Sequence, residues 1–101
     1  MADITVSELK KRLDDEEDLF VIDVREPHEY EEFNIAAENI PLSNLPLSFD
    51  QLENYKDREI VVHCKSGRRS EMAKQLMLQV GFKNVRNLLG GMDEWKRQFP
   101  I

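Results

Sequence analysis

The sequence predicts an α/β fold in which a parallel sheet carries helices on both of its faces. Strand-like runs alternate with helix-like runs from one end of the chain to the other, which is typical of this class. Residues 19–24 and 59–64 are nearly continuous in apolar and β-branched side chains, as strands covered on both faces are. The chain has 101 residues, enough for one hydrophobic core and too few for two, so we expect a single domain over residues 1–101.

The N-terminal segment predicts a short strand followed by a helix. Residues 4–6 are the strand candidate, Ser7 is the expected helix N-cap, and Leu9 and Leu13 lie four apart on one helical face. The five acidic residues 14–18 repel one another and oppose the helix dipole, so the helix should end there. The alternative, that this acidic run docks a basic partner, is less favoured than a solvated turn.

The first buried strand leads into a short helix that we expect over residues 26–33. Pro27 suits the first turn of that helix, because proline fixes a helical φ and lacks an N–H that would remain unpaired there. Asp23 and Arg25 are expected to form a structural ion pair at the mouth of the sheet rather than to act in catalysis. His28 is expected on the surface.

The middle of the chain contains a short strand, a turn-rich segment and the second buried strand. Residues 38–42 are the short strand, and Pro41 indicates that it does not continue as an interior ladder. One short helix is expected around residues 49–54. His63 and Cys64 are neighbours at the end of the second buried strand, so their side chains should point to opposite faces. A Cys–His dyad between them is therefore not expected.

A long amphipathic helix, a strand and a closing helix complete the pattern. Ser70 is the expected N-cap of the long helix and Gly81 its C-terminal stop. The apolar face of this helix repeats at i, i+3, i+4 and i+7, and its members are Ala73, Leu76, Met77 and Val80. Residues 84–88 are the last strand candidate, and residues 92–99 are the closing helix.

A seven-residue loop between the second buried strand and the long helix carries the reactive groups. Its members in order are Cys64, Lys65, Ser66, Gly67, Arg68, Arg69 and Ser70. The cysteine is the only one in the chain, and its thiol has an ordinary pKa of about 8.5, which makes it a weak nucleophile at neutral pH. The three cations, the inward N–H groups that the glycine permits and the following helix N-terminus should all lower that pKa. We therefore predict a largely ionised Cys64 at pH 7.

Two simpler interpretations of the loop stand beside this one. A lone cysteine is often a small buried hydrophobe, and lysine and arginine are often solvated surface charges. However, an inert buried cysteine is not normally followed by three cations and a glycine, and the loop is a positive patch on a chain of net charge −6. We therefore favour Cys64 as a nucleophile and expect the six loop residues that follow it to bind the substrate.

Composition excludes several classes of function. A pI near 4.9 argues against nucleic acid or an anionic membrane as the main partner. The sequence has neither an apolar run long enough to span a bilayer nor a secretory signal pattern at its start, so we expect a cytoplasmic protein. A single cysteine leaves no internal disulfide and no resolving thiol, so a group bound to Cys64 must be released by another molecule. Nothing in the sequence suggests a metal or an organic cofactor.

Together these residues resemble the single-domain rhodaneses over almost the whole chain. The motifs that carry the resemblance are residues 21–27 with Tyr30, residues 39–42, residues 89–91 with Trp95, and a Cys-x-x-Gly-x-Arg-Ser pattern at Cys64, Gly67, Arg69 and Ser70. The resemblance implies a five-stranded parallel sheet flanked by helices and transfer of sulfane sulfur through a persulfide of Cys64. It also implies a small anionic sulfur donor such as thiosulfate, and a thiol, cyanide or a protein thiol as acceptor.

Two other functions remain open at this point. Cysteine-dependent phosphatases and arsenate reductases use similar loops with a Cys-x5-Arg pattern, but here Arg69 lies one position too early and Ser70 stands in its place. No strong candidate for the general acid of that chemistry is present either. The second alternative is a sulfur-carrier or protein-binding module, which the retained Cys64 does not exclude.

Overall fold

A computed structural model describes residues 2–100, and a parallel sheet lies at its centre. The sheet order is β2-β1-β3-β4, and every pair is parallel. The strands are β1 (Phe20–Asp23), β2 (Glu38–Asn39), β3 (Glu59–His63) and β4 (Asn84–Asn87). The helices are α1 (Val6–Asp14), α2 (Pro27–Glu32), α3 (Leu45–Ser48), α4 (Arg68–Gln79) and α5 (Gly91–Gln98), with 3-10 turns at Leu42–Asn44 and Glu53–Tyr55.

The prediction of a five-stranded sheet is wrong, because within residues 2–100 the sheet has four strands. Ile4 forms only an isolated parallel bridge with Leu88. Its N–H donates to the carbonyl of Asn87 at 3.0 Å, and its carbonyl accepts from Leu89 at 2.9 Å. The next residue, Thr5, is already the N-cap of α1, so the extended segment is too short for a strand.

Helix boundaries differ from the sequence prediction at three places. Thr5 rather than Ser7 caps α1, and its Oγ1 accepts the N–H of Glu8 at 3.1 Å. The helix expected around residues 49–54 lies earlier, at α3, where a proline occupies the first turn. Helix α4 begins before Ser70, because Gly67 is its N-cap, and the Ser70 side chain is thereby released for another role.

Two apolar clusters, one on each face of the sheet, form the core. The cluster on the α4 face contains Ile22, Val24, Leu45, Leu52, Ile60, Val62, Cys64, Ala73, Met77, Phe82 and Val85. The cluster on the α1 and α5 face contains Ile4, Val6, Leu9, Val21, Ala37, Val61, Leu88, Met92 and Trp95. The buried strands therefore alternate their side chains between two covered faces, as predicted for a parallel sheet.

Strand register places the loop after β3 at the carboxyl edge of the sheet. His63, the last residue of β3, pairs with Asp23 at the end of β1. On the other side Val62 pairs with Asn87, the last residue of β4. The loop that starts at Cys64 therefore lies between the ends of two neighbouring parallel strands, which is where open α/β sheets usually bind ligands.

Candidate active site

Three donor atoms lie within 3.4 Å of the sulfur of Cys64. The backbone N–H of Gly67 donates to Sγ at 3.1 Å, and that of Ser70 does so at 3.4 Å. The Ser70 hydroxyl oxygen lies 3.3 Å from the same sulfur. A sulfur that carries negative charge is stabilised by such convergent donors, because each directs a positive hydrogen towards it.

The loop can direct its N–H groups inward because its carbonyl groups are held from the other side. The N–H groups of Met92 and Asp93, in the first turn of α5, donate to the carbonyls of Cys64 and Lys65 at 2.9 Å each. A Cβ at Gly91 would lie only 2.5 Å from the Cys64 carbonyl oxygen, so this close approach requires glycine. The N-terminus of α5 thus fixes the outer side of the loop.

The hydrogen bonds at Sγ outweigh the effect of burial on the cysteine. Burial raises the pKa of the Cys64 thiol, whereas hydrogen bonds from the Ser70 side chain and from the backbone of Ser70, Gly67 and Ser66 lower it, and the net pKa is below the ordinary value. The direction agrees with the sequence prediction. The inward N–H groups that the sequence predicts contribute to this lowering together with the Ser70 side chain, whereas none of the three cations is among its main causes.

Two of the three loop cations are paired with carboxylates. The Lys65 ammonium lies 3.1 Å from Asp93, and Arg69 donates to both oxygens of Glu29 at 2.7 and 2.9 Å. Arg68 is exposed and has no ion pair within residues 2–100. The positive charge that remains available to an incoming anion is therefore that of Arg68.

The thiol is buried, but a groove opens beside it. Cys64 is only 1% exposed and packs in the apolar cluster on the α4 face, as the simpler interpretation of a buried cysteine anticipated, yet its sulfur also accepts hydrogen bonds from the loop. A groove of about 470 Å³ lies along the loop. Its walls are Asp3, Ser66, Gly67, Arg68, Glu71, Asn87, Leu89 and Gly90.

Asn87 is a site residue that the sequence did not reveal. Its Oδ1 lies 2.6 Å from the Ser70 hydroxyl, and its Nδ2 donates to the Gly67 carbonyl at 3.0 Å. The sequence pattern predicts residues 84–88 only as a strand. The available signal was positional, because an amide that ends a strand beside β3 must face the loop that follows β3.

His63 does not contact the sulfur. Cys64 belongs to the cluster that contains Ile60 and Val62, whereas Val61, which is in phase with His63, belongs to the opposite one. The imidazole is fully buried, and within residues 2–100 neither of its ring nitrogens has a hydrogen-bond partner.

The expected Asp23–Arg25 pair is confirmed, and it lies beside His63. The Arg25 guanidinium donates to the Asp23 carboxylate at 2.8 Å with both side chains buried, and a carboxylate oxygen is 3.8 Å from His63 Nε2. Burial lowers the pKa of His63 to about 4 despite this carboxylate. The imidazole is therefore neutral at pH 7, and it belongs to the opposite face of the sheet from the Cys64 side chain.

Residues 2–100 contain no metal-binding cluster and no helix that could cross a membrane. No group of three His, Cys, Asp or Glu side chains is arranged to hold a metal ion there. Within the same residues, no helix is both long and apolar enough to cross a membrane.

Comparison with known proteins identifies relatives of this chain. A family model described as the rhodanese-like domain matches residues 5–98. A sulfurtransferase of Allochromatium vinosum is 36% identical over 101 residues, which cover 98% of this chain and 92% of the relative. The putative sulfur carrier protein YrkF of Bacillus subtilis is 39% identical over 94 residues, which cover 92% of this chain and 50% of the relative, so the chain spans only half of that protein.

A solved structure shares the fold. The crystal structure of a rhodanese-related protein from Thermoplasma volcanium superposes with a TM-score of 0.84 at 31% identity. The superposition covers 98% of this chain and 94% of that chain. The α/β arrangement of a parallel sheet with flanking helices is therefore common to both proteins.

Proposed function

Because this chain belongs to the rhodanese-like domain family, we propose that it is a sulfurtransferase that carries sulfane sulfur on Cys64 as a persulfide. The observation that carries the proposal is the set of N–H and O–H donors around Sγ at the carboxyl edge of the sheet. These donors stabilise negative charge in the loop, which both the attacking thiolate and the product persulfide bear.

The first half-reaction takes sulfur from thiosulfate or a similar donor. The Cys64 thiolate attacks the outer sulfur, a new S–S bond forms, and the bond between the two donor sulfurs breaks. The electron pair of the broken bond leaves on sulfite, which departs as a dianion, and the outer sulfur keeps in the persulfide the negative charge that it carried in thiosulfate. Arg68 lines the groove without a carboxylate partner within residues 2–100, so it is placed to attract the dianionic donor. Ser66, Gly67 and Ser70 supply donors, while Lys65 and Arg69 hold the loop in place through their carboxylate partners.

The second half-reaction gives the outer sulfur to an acceptor. Cyanide or a thiolate attacks that sulfur, the persulfide S–S bond breaks, and its electron pair returns to Cys64 as thiolate. These 101 residues hold no second cysteine to do this, so the acceptor group lies outside them. The two half-reactions predict ping-pong kinetics. A reducing compartment keeps such a thiolate available, and we therefore propose a cytoplasmic location.

A protein thiol is the alternative acceptor, which would make this domain a sulfur carrier. Similarity to the Bacillus sulfur carrier supports this alternative. Two apolar side chains near the groove are exposed: Leu89 by 47% and Met72 by 60%. The discriminating measurement is whether small thiols discharge the persulfide or only a protein thiol does so efficiently.

Phosphatase chemistry is less well supported. Ser70 occupies the position where the Cys-x5-Arg pattern requires arginine, and both guanidinium NH2 groups of Arg69 donate to Glu29. Appreciable turnover of a small aryl phosphate would reverse this preference.

Intact mass spectrometry of the wild type and of Cys64→Ser tests the proposal. Each protein is incubated with thiosulfate, and the excess is removed before measurement. We expect the wild type alone to gain the mass of one sulfur atom and to lose it again on addition of cyanide. Because the chain has one cysteine, the adduct needs no further mapping. If neither thiosulfate nor any other sulfane donor produces an adduct, the proposal is wrong.

A further inference from the structure

The Ser70 hydroxyl lies between two acceptors and can serve only one of them. Its oxygen is 3.3 Å from Cys64 Sγ and 2.6 Å from Asn87 Oδ1. A hydroxyl has a single hydrogen, so it donates either to the sulfur or to the amide oxygen. Ser70 is fully buried, Cys64 is 1% exposed and Asn87 is 5% exposed, so solvent is poorly placed to satisfy the acceptor that is left out.

The amide of Asn87 cannot exchange its oxygen and nitrogen. Its Nδ2 donates to the Gly67 carbonyl at 3.0 Å and lies 3.4 Å from a carboxylate oxygen of Glu71. A flipped amide would direct its oxygen at these two acceptors, and its NH2 group would then face the hydroxyl. The position is held further by the Asn87 backbone N–H, which donates to Asp3 at 2.9 Å. Oδ1 is therefore fixed as an acceptor for Ser70.

The preference of the hydroxyl must change with the chemical state of Cys64. When Cys64 is a thiol, its S–H can donate to Ser70 Oγ, and the hydroxyl donates to Asn87. When Cys64 is a thiolate, the charged sulfur attracts the hydroxyl hydrogen, which leaves a buried Oδ1 unpaired. When Cys64 is a persulfide, the charge moves to the outer sulfur, so the hydroxyl can return to Asn87.

We propose that Asn87 is a positioning residue that competes with the Cys64 thiolate for the Ser70 hydroxyl, and so makes the thiolate less stable relative to the persulfide. This inference rests on the proposed function, because it concerns the state in which Cys64 holds sulfur. The competition keeps the thiolate reactive, since a sulfur anion with one weaker hydrogen bond is a better nucleophile. It also favours acceptance of sulfur, because the penalty disappears once the persulfide forms.

A titration of Cys64 in four proteins tests the coupling: wild type, Ser70→Ala, Asn87→Leu and the double variant. The rate of alkylation by iodoacetamide against pH gives the pKa of Cys64, and the single cysteine makes the signal unambiguous. Asn87→Leu removes the competing acceptor at similar volume, and the Gly67 carbonyl keeps the N–H of Glu71 at 3.1 Å. We expect this variant to lower the pKa by about one unit, which is about tenfold in thiolate fraction.

The double variant distinguishes competition from a structural role. Ser70→Ala should raise the pKa, because it removes a donor. Once the hydroxyl is absent, Asn87→Leu should have no further effect. The charged side chains around the loop are the same in all four proteins; they are Asp3, Glu29, Lys65, Arg68, Arg69, Glu71 and Asp93. If Asn87→Leu shifts the pKa equally with and without Ser70, or raises it, the proposal is wrong.

A second readout addresses sulfur transfer directly. At fixed thiosulfate and sulfite, the ratio of persulfide to thiolate should fall by about tenfold in Asn87→Leu, with the thiolate more stable than in the wild type. Asn87→Met, which also lacks the amide oxygen, repeats both measurements if the leucine variant does not fold. The proposed role of Asn87 and the proposed function can fail independently. If the Cys64 pKa is the same in Asn87→Leu as in the wild type, the role of Asn87 is wrong even if the persulfide forms. If the wild type forms no persulfide, sulfur transfer is wrong even if the Cys64 pKa values of the four proteins are as expected.

Discussion

At the scale of single residues, His63 should give the protein a pH-dependent stability that does not involve the cysteine. Burial lowers the pKa of His63 from the ordinary 6.5 to about 4, and Asp23 offsets only part of that effect. Below pH 6.5 the unfolded chain binds a proton that the folded chain does not, so the free energy of unfolding should fall as pH drops towards 4. The loss at the lower end is about 3 kcal/mol.

Urea unfolding at a series of pH values measures this slope. His63→Phe removes the titrating ring and should flatten the slope, whereas His28→Gln changes an exposed side chain and should retain it. Arg69 lowers the pKa of Glu29 to about 2, and Arg12 lowers that of Glu59 to about 2. The contribution of these two carboxylates to the free energy of unfolding therefore falls only below their ordinary pKa of 4.5. A slope between pH 6.5 and 4.5 that survives in His63→Phe would contradict the assignment.

Arg68 should contribute to use of the sulfur donor more than Lys65 does. Arg68 has no ion pair within residues 2–100, whereas Lys65 lies 3.1 Å from Asp93. We expect Arg68→Ala to raise KM for thiosulfate by roughly fivefold, because one cation near a dianion contributes on the order of 1 kcal/mol in a solvated groove. Lys65→Ala is the matched control and should have a smaller effect. Steady-state kinetics at fixed acceptor measures both, and equal effects would argue against the distinction.

Part of the site was predictable from the residues alone. The position of Cys64 in a glycine-containing loop between a strand and a helix predicted a lowered thiol pKa, and the structure agrees in direction. The pairing of Lys65 and Arg69 was not predictable, because their partners Asp93 and Glu29 are 28 and 40 positions away. Asn87 was missed because an amide in a strand has no chemical signal until the sheet order is known.

At the scale of elements, the contact between α5 and the loop should be the most sensitive to substitution. A Cβ at Gly91 would lie 2.5 Å from the Cys64 carbonyl oxygen and 2.7 Å from that of Lys65. Gly91→Ala must therefore displace the loop or the helix. We expect it to lower the free energy of unfolding by about 2 kcal/mol more than an alanine does at a positive φ without a steric clash. It should also lower kcat/KM for thiosulfate at least tenfold, because the loop donors move.

Gly81→Ala is the matched control for this substitution. Gly81 also has a positive φ, +102° against +56° for Gly91, but a Cβ there would meet nothing closer than Lys56 Nζ at 3.7 Å. Gly81→Ala should lower the free energy of unfolding only by the backbone strain, about 1 kcal/mol, and should leave kcat/KM unchanged. Thermal unfolding and thiosulfate kinetics of the two variants give the comparison. Equal loss of activity in both would show that the α5 contact is not what holds the loop.

Elements with a strong apolar pattern were predictable, and those fixed by local competition were not. Strands β1 and β3 lie within the runs 19–24 and 59–64 that the pattern indicated. The strand expected at residues 4–6 was lost because Thr5 caps a helix there, so a helix start and a strand competed for the same residues. Helix α3 lies before the residues 49–54 at which it was expected, because Pro46 occupies its first turn, a position that favours the start of a helix.

At the scale of the whole molecule, the overall charge opposes the proposed donor while the loop attracts it. The chain carries a formal charge of −6 and extends over 36 × 28 × 20 Å. Thiosulfate is a dianion, so the net charge repels it at long range and Arg68 attracts it at short range. These two contributions respond differently to salt, because the Debye length falls from about 30 Å at 0.01 M to about 10 Å at 0.1 M ionic strength.

The long-range repulsion should therefore be visible in the salt dependence of the reaction. Raising the ionic strength from about 0.01 to 0.1 M screens the whole-molecule charge but leaves a contact-range attraction largely intact, so kcat/KM for thiosulfate should rise by roughly threefold to fivefold. Alkylation of Cys64 by iodoacetamide, a neutral reagent, is the control for any effect of salt on the thiolate fraction. The quotient of kcat/KM for thiosulfate and the alkylation rate shows the effect of salt on the approach of the charged donor alone. If the quotient falls with salt, the field at the loop dominates the approach of the donor, and the net charge of the molecule does not limit it.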